Sequence, residues 1–480
     1  MSIKRHTFYN LTGSILSFVV LLVTVPLYLN LIGLDRYGIL SIIWIMLGYF
    51  GFFDFGIGRA VAHKVAGLPK GDQERQKDVL WTGLATSLPL ALAGMVILCF
   101  VLQFVLGRWI SMNAGLHAEA NAAVIWVALS LLPLVLSAAF NGLLLGNQQF
   151  LVINFVDVTT RILLQLIPLA VALYISPDLV HLAQAVFWAR VLSLFTWVFA
   201  CMRLVPAVMV PRFKFQLVSD LWKYGGWITL SALVGPLLSG LERFFIGNVQ
   251  GAAAVTLYAV PFSLIAPIAM LAGSLSAALF PRYSSLDSEA SRQLARRAIH
   301  AILVMVTPLM VMLIFAVQPF LSVWIDVDFS INSLGVAQIL VVGFWANSLA
   351  KVFHTQLQGE GKPSSVAWMH LAELLPFLLL LFLLTNQWGV LGAALAWTIR
   401  TVVDMGLLGY KSGAWDWQAP VFLVSFFLLI ASAVLSYEIA LNLHYLIGVG
   451  GVCIVVALLW SWRMGLGGYI RTFTPKVFRV

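Results

Sequence analysis

Long apolar stretches separated by short polar turns follow one another from Phe8 to Arg463. A helix of ~17–25 apolar residues crosses the ~30 Å hydrocarbon core of a bilayer. A membrane β-strand instead alternates polar and apolar positions, and stretches such as LSFVVLLVTVPLYL do not alternate. The pattern predicts fourteen helices, over residues 8–31, 38–66, 79–106, 122–145, 150–174, 180–204, 222–246, 255–283, 295–318, 335–358, 364–384, 389–410, 419–438 and 443–463. Two cuts rest only on the turn-like strings LGNQQF and TNQWG.

Composition turns this pattern into a fold class. Of 480 residues, 61% are hydrophobic and 10% are charged, against ~25% charged in a soluble domain. The expected architecture is an all-α integral membrane protein, two pseudo-symmetric six-helix bundles plus two C-terminal helices. The first apolar run is too long for a signal peptide and lacks a small-residue cleavage site, so it is expected to stay as the first helix. Cys99, Cys201 and Cys453 lie inside apolar spans at unrelated spacings and predict neither a disulfide framework nor a metal site.

Lys and Arg orient the array. With a cytoplasmic N-terminus, 21 of the 28 fall on the inner side and two, Arg36 and Arg108, on the outer. Both termini are therefore expected in the cytoplasm. The net charge of +9 then reflects orientation and contact with anionic membrane lipids, not nucleic acid. The remaining five cations, Arg161, Arg190, Arg243, Lys351 and Arg400, lie within predicted spans. A charge at the bilayer centre costs at least ~2.5–3.5 kcal/mol, so each needs an aqueous cavity, an anion or a carboxylate.

The chain also repeats. LLLGNQQFLVINFVDVTTRILLQLIPLAVAL aligns with TQLQGEGKPSSVAWMHLAELLPFLLLLFLL, pairing Gly146 with Gly359 at an offset of 213. HLAQAVFWARVLSLF aligns with GAALAWTIRTVVDM, pairing Arg190 with Arg400 at an offset of 210. More loosely, Pro26 pairs with Pro236. The expected division is a first bundle over 1–210, a second over 211–412, and two further helices with a basic tail over 413–480. Duplicated bundles with polar groups near the midplane are typical of secondary transporters.

Two readings of the buried cations stay open. In one they are structural ion pairs, for which Asp157–Arg161 and Arg400–Asp404 have i,i+4 spacing. In the other, Arg161, Arg190, Lys351 and Arg400 line a central cationic cavity for an anionic substrate group. Lys351, His354, Thr355 and Gln358 share one helical face. His370 and Glu373, together with Asp157 and Asp404, are candidates for ion coupling or for pairing with the cations. Arg59 and His63, after the glycine-bent string FFDFGIG, and Arg282 are candidates for a headgroup-access patch at the inner surface; anchoring by positive charge is the plainer reading. SEASRQLARRAIH predicts an amphipathic lead-in to the ninth span. No phosphate-binding GxxxxGK[ST] string, catalytic triad or metal cluster assembles, so transport rather than catalysis is expected, with no cofactor and no metal.

LTGSILSFVVLLVTVPLYLNLIGLDRYGILSIIW followed by FFDFGIGRAVAHKVA resembles the start of bacterial polysaccharide flippases of the Wzx type. These belong to the multidrug/oligosaccharidyl-lipid/polysaccharide exporter superfamily. GLLLGNQQF and TQLQGEGKP resemble that family's paired inner turns. The resemblance implies a V-shaped pair of six-helix bundles working by alternating access in the bacterial inner membrane, and an undecaprenyl-pyrophosphate-linked oligosaccharide as substrate, an O-antigen or exopolysaccharide repeat unit. It also implies polysaccharide polymerase or chain-length machinery as protein partners. Guanidinium groups match the charge and geometry of a pyrophosphate. Drug-exporting relatives carry an acidic residue in the first helix, whereas residues 8–31 here contain none. The lipid II flippase branch uses arginines in helices 1, 2 and 8; Arg59 and Arg282 match the latter two, and residues 8–31 hold no Arg. The rival functions are a drug/cation antiporter and a membrane polysaccharide polymerase or ligase.

Overall fold

The computed structural model describes residues 3–69, 71–222, 240–415, 419–439 and 443–465. Most of the seventh predicted span, with Pro236, lies outside these residues, as do Lys70, Lys223, Arg471, Lys476 and Arg479. Among the described residues the protein is all-helical, and eleven helices are long and apolar enough to cross a membrane. It is a multi-pass membrane protein. The chain forms two compact units, Met1–Ala253 and Ala254–Val480.

The first unit contains α1 (Ile3–Phe50), α2 (Ile57–Ala66), α3 (Gln73–Phe104), α4 (Ala114–Leu129), α5 (Leu131–Gly146), α6 (Phe150–Tyr174), α7 (Leu179–Leu204) and the short α8 (Glu242–Gln250). α1 is two helices joined at Gly33, whose φ of 77° and ψ of 174° break the helical path. Glycine tolerates that conformation because it has no Cβ. The span predicted over 38–66 is interrupted at FFDFG: a tight turn covers Gly51–Asp54, Phe55 and Gly56 take left-handed backbone, and the Asp54 carboxylate accepts from the Gly56 N–H at 2.9 Å. α2 then packs on α5 at very close range. A Cβ at Gly58 would lie 2.6 Å from the Ala138 carbonyl oxygen, and one at Gly142 would collide with the Gly58 carbonyl. Small residues let the two backbones touch, which is how helices associate where lipid removes the usual hydrophobic drive.

The second unit contains α9 (Ala252–Ile265), whose first two residues precede the division, then α10 (Ala269–Tyr283), α11 (Ser288–Trp324), α12 (Val327–Gly359), α13 (Pro363–Ser412), α14 (Ala419–Ile439) and α15 (Leu443–Arg463). α12 is its buried centre, packed by α10, α11 and α13, while α14 and α15 lie against α11. α13 is again two helices, divided at Gly389 with φ 55° and ψ −130°. The predicted lead-in is present: Asp287 caps α11 by accepting from the Ala290 N–H at 2.8 Å, and the helix runs unbroken into the span.

The two segments left between predicted spans at 107–121 and 319–334 are largely helical. Asn113 caps α4 through the Leu116 N–H at 2.8 Å, and Asp326 caps α12 through the Phe329 N–H at 2.7 Å. Their polar side chains satisfy N–H groups that a helix start leaves open. The paired glycines of the repeat have equivalent places. Gly146 ends α5 and Gly359 ends α12, and a Cβ would meet Val65 of α2 at 2.7 Å or Tyr283 of α10 at 2.5 Å.

Candidate functional site

In the first unit, α6 and α7 run side by side and the part of α1 before Gly33 packs against α6. Thr160 and Ser193 join α6 to α7 through their hydroxyls at 2.6 Å, and the Tyr28 hydroxyl of α1 donates to the Gln165 main-chain oxygen at 2.7 Å. Between these ties lies a cavity of about 320 Å³ lined by Arg161, Gln165 and Arg190, together with Ser17 and Trp44 of α1. No carboxylate lies within salt-bridge distance of Arg161 or Arg190 among the described residues. Asp157, one turn before Arg161, makes no salt bridge with it. The Arg190 Nε and the Gln165 Oε1 are both buried and without a hydrogen-bond partner. A buried donor and a buried acceptor left open cost ~1–3 kcal/mol each.

The second unit treats its arginine differently. Arg400 is buried, with its Nε 3.3 Å from Glu373 Oε2 and its Nη2 3.9 Å from Asp404 Oδ2. His370 Nε2 is 3.3 Å from Asp404 Oδ1. The His370 ring stacks on His354 of α12 with centroids 5.9 Å apart and planes 13° from parallel. Gln358 lies 3.4 Å from His354, and the Lys351 ammonium donates to the Ala269 carbonyl at 3.2 Å. The face Lys351–His354–Thr355–Gln358 thus meets His370, and through it the carboxylates of α13. The structure groups the four predicted cations as Arg161 with Arg190 in one unit, and Arg400 inside a mixed-charge network near Lys351 in the other.

Of the predicted headgroup-access residues, Arg59 and His63 are exposed on α2. The neighbouring Lys64 binds Asp220 at 2.6 Å. Arg282 lines a surface cleft of about 400 Å³ with Arg297 and Leu286. Other cations serve the fold: Lys214 and Arg212 pair with the buried Asp78 at the start of α3, and Arg292 binds Glu289 at 3.2 Å. Elsewhere in the first unit, Arg36 makes a two-pronged bond to Glu119 at 2.7 and 2.9 Å and approaches Asp178 at 3.6 Å, tying together α1, α4 and the start of α7.

Sequence reasoning missed Trp44 and Gln165. Gln165 follows Arg161 by one helical turn, so its shared face was open to the same spacing argument; nothing local announced Trp44. The described residues hold no trio of His, Cys, Asp and Glu arranged for a metal ion.

Residues 3–287 match the family described as "Polysaccharide biosynthesis protein". A proposed O-antigen transporter of Shigella flexneri is 25% identical over 409 residues, covering 85% of this chain and 97% of that protein. Among solved structures, the lipid II flippase MurJ in an inward closed conformation superposes with a TM-score of 0.76 at 13% identity, covering 97% of this chain and 99% of that one. An inward-facing multidrug resistance MATE family transporter of the MOP superfamily superposes with a TM-score of 0.63 at 15% identity, covering 86% of this chain and 94% of that one. The fold is thus shared with a solved flippase and a solved MATE family transporter. With more than half its length matched, the chain belongs to the polysaccharide biosynthesis protein family of multi-pass membrane proteins.

Proposed function

We propose that the protein is a flippase that carries an undecaprenyl-pyrophosphate-linked oligosaccharide, an O-antigen or exopolysaccharide repeat unit, from the inner to the outer leaflet of the bacterial inner membrane by alternating access. The observation that carries this reading is the pair Arg161 and Arg190, two cations without carboxylate partners on one membrane-embedded cavity. Water or an anion must compensate charges held there, and a diphosphate supplies oxygens at the spacing guanidinium groups bind best. The family match and the similarity to a proposed O-antigen transporter support the glycan as cargo. The proposal includes fourteen spans with both termini cytoplasmic, and six-helix repeats over 1–210 and 211–412 followed by 413–480. In it Arg161 and Arg190 hold the diphosphate, Lys351 and Arg400 belong to the charged network of the second unit, and Arg59, His63 and Arg282 attract the headgroup at the inner surface.

The second reading, a drug or cation antiporter, has in its favour two buried carboxylates, Glu373 and Asp404. Against it, both carboxylates already face Arg400 or His370, and the cavity of the first unit is cationic. Reconstitution in liposomes decides between them. A labelled polyprenyl-diphosphate oligosaccharide becomes accessible in the opposite leaflet with the intact protein, and Arg190→Ala slows this by about 10–100-fold, the worth of a charge-assisted hydrogen bond. Full lipid movement by both Arg161→Ala and Arg190→Ala overturns the assignment; organic-cation transport without lipid movement promotes the antiporter.

A further inference from the structure

We infer that the cavity between α1, α6 and α7 reads the junction between sugar and phosphate, with Trp44 as a platform for the first pyranose and Gln165 Oε1 as acceptor for one of its hydroxyls. This rests on the flippase reading and narrows it to the part of the lipid-linked glycan that the first unit recognises.

The cavity lining is chemically mixed. Arg161 and Arg190 ask for an anion, but a bare diphosphate leaves two features of the site unused. One is Gln165 Oε1, buried on the cavity wall and without a donor; a carboxamide oxygen needs an N–H or O–H, which an ionised phosphate lacks. The other is the indole of Trp44. Its ring is fixed from two sides, by Tyr28 with centroids 6.3 Å apart at 79° and by Tyr37 at 6.0 Å and 84°. Both tyrosines are buried, and Tyr28 is itself pinned by its hydroxyl to the main chain of Gln165. The platform and the acceptor therefore belong to one braced assembly, and the platform's position does not depend on a flexible loop.

A pyranose joined to phosphate answers Trp44, Gln165 and the two arginines of this lining together. Its C–H face covers the indole, removing apolar area from water and adding weak C–H contacts. Its hydroxyls donate to Gln165, and its phosphates meet the arginines. The volume agrees: about 320 Å³ is at the small end of the ~300–1,000 Å³ range of small-molecule sites. That is room for one sugar with its phosphate, not for a polyprenyl chain or a whole repeat unit. The site consequently fixes the linkage end of the cargo and leaves the distal sugars unread.

The test uses the full chain in lipid nanodiscs and two probes, polyprenyl diphosphate alone and the same lipid carrying a single N-acetylhexosamine, with equilibrium binding as the readout. The intact protein prefers the glycosylated probe. Trp44→Ala lowers that preference about tenfold, Trp44→Phe restores part of it, and Gln165→Met lowers it about fivefold. Equal losses for both probes, or no change in the preference, overturn the inference while leaving the flippase reading intact. Failure of the intact protein to bind either probe overturns both.

Discussion

Arg190 and Arg400 stand at matching positions of an internal repeat, 210 residues apart, yet their surroundings are opposite. Arg400 is enclosed by Glu373 and Asp404, with His370 behind Asp404. Arg190 has a buried Nε with no acceptor and opens on a cavity. The repeat itself explains the contrast. At the same offset Asp404 corresponds to Leu194, and at the offset of 213 that governs the preceding helices Glu373 corresponds to Thr160, which bonds Ser193 instead. At matching positions of the sequence repeat, then, two neighbouring residues decide whether the protein itself answers the charge of the arginine.

The largest effect expected from this contrast is on stability, and in one unit only. Arg400→Ala leaves two carboxylates buried without their cation, at a cost of about 3–5 kcal/mol; thermal unfolding in detergent reads it as a large drop in midpoint. Adding Glu373→Gln and Asp404→Asn to that variant recovers most of the loss. Arg190→Ala, with no internal partner to strand and an open buried donor removed, does not lower the midpoint. An unchanged midpoint for Arg400→Ala means that the second unit does not depend on the network, and the contrast dissolves.

Transport reverses the ranking. Arg190→Ala loses about 1.5–3 kcal/mol of interaction with the diphosphate while folding normally. A more pointed version installs in the first unit what the second already has: Leu194→Asp places a carboxylate one helical turn from Arg190. The new pair competes with the lipid phosphate and weakens binding about tenfold relative to Leu194→Asn, which alters packing similarly but adds no charge. Equal affinity in the two variants contradicts the view that an unanswered guanidinium is what makes the site.

Much of this was legible before the fold was known, and what was not has a physical cause. The spans, the paired glycines and the paired arginines follow from hydropathy and self-similarity, because lipid imposes a length on every crossing helix. Facing is another matter. α6 and α12 are similarly apolar, yet 6% of the most apolar window of α6 is buried inside the protein and 78% of that of α12. When lipid and protein interior are equally apolar, the periodicity that marks the inner face of a soluble helix disappears. That is why Trp44 could not be assigned to a cavity and Asp404 could not be told from Asp157, although each acid sits one turn from an arginine. The helical caps at Asn113 and Asp326 were misread for a different reason: a capping residue and a loop residue have the same polarity, and only the hydrogen bond distinguishes them.

The smallest difference between the units lies at the turns that follow the paired glycines. In the first unit Asn147 exchanges hydrogen bonds with Gln76 at the start of α3, at 3.2 and 3.1 Å. In the second, Glu360 takes the matching place and accepts from Ser291 at the start of α11 at 2.7 Å, from Gln356 at 2.9 Å and from Lys362 at 2.8 Å. Burial pushes the Glu360 carboxyl up, but the bonds from Lys362, Gln356 and Ser291 outweigh it and hold the group below its ordinary value. A carboxylate lowered in the folded state contributes stability that is complete above its unfolded value of ~4.3 and is lost as pH falls through the folded one. Glu360→Gln is therefore expected to cost about 1 kcal/mol at neutral pH, with the gap from the intact protein closing as the medium is acidified below pH ~4. Asn147→Ala, which removes an uncharged tie, costs a similar amount at every pH, since nothing in the Asn147–Gln76 pair titrates. Unfolding midpoints of the three proteins across that range test the comparison at its finest grain. A gap for Glu360→Gln that stays constant with pH implies that the second turn, like the first, is held by neutral hydrogen bonds.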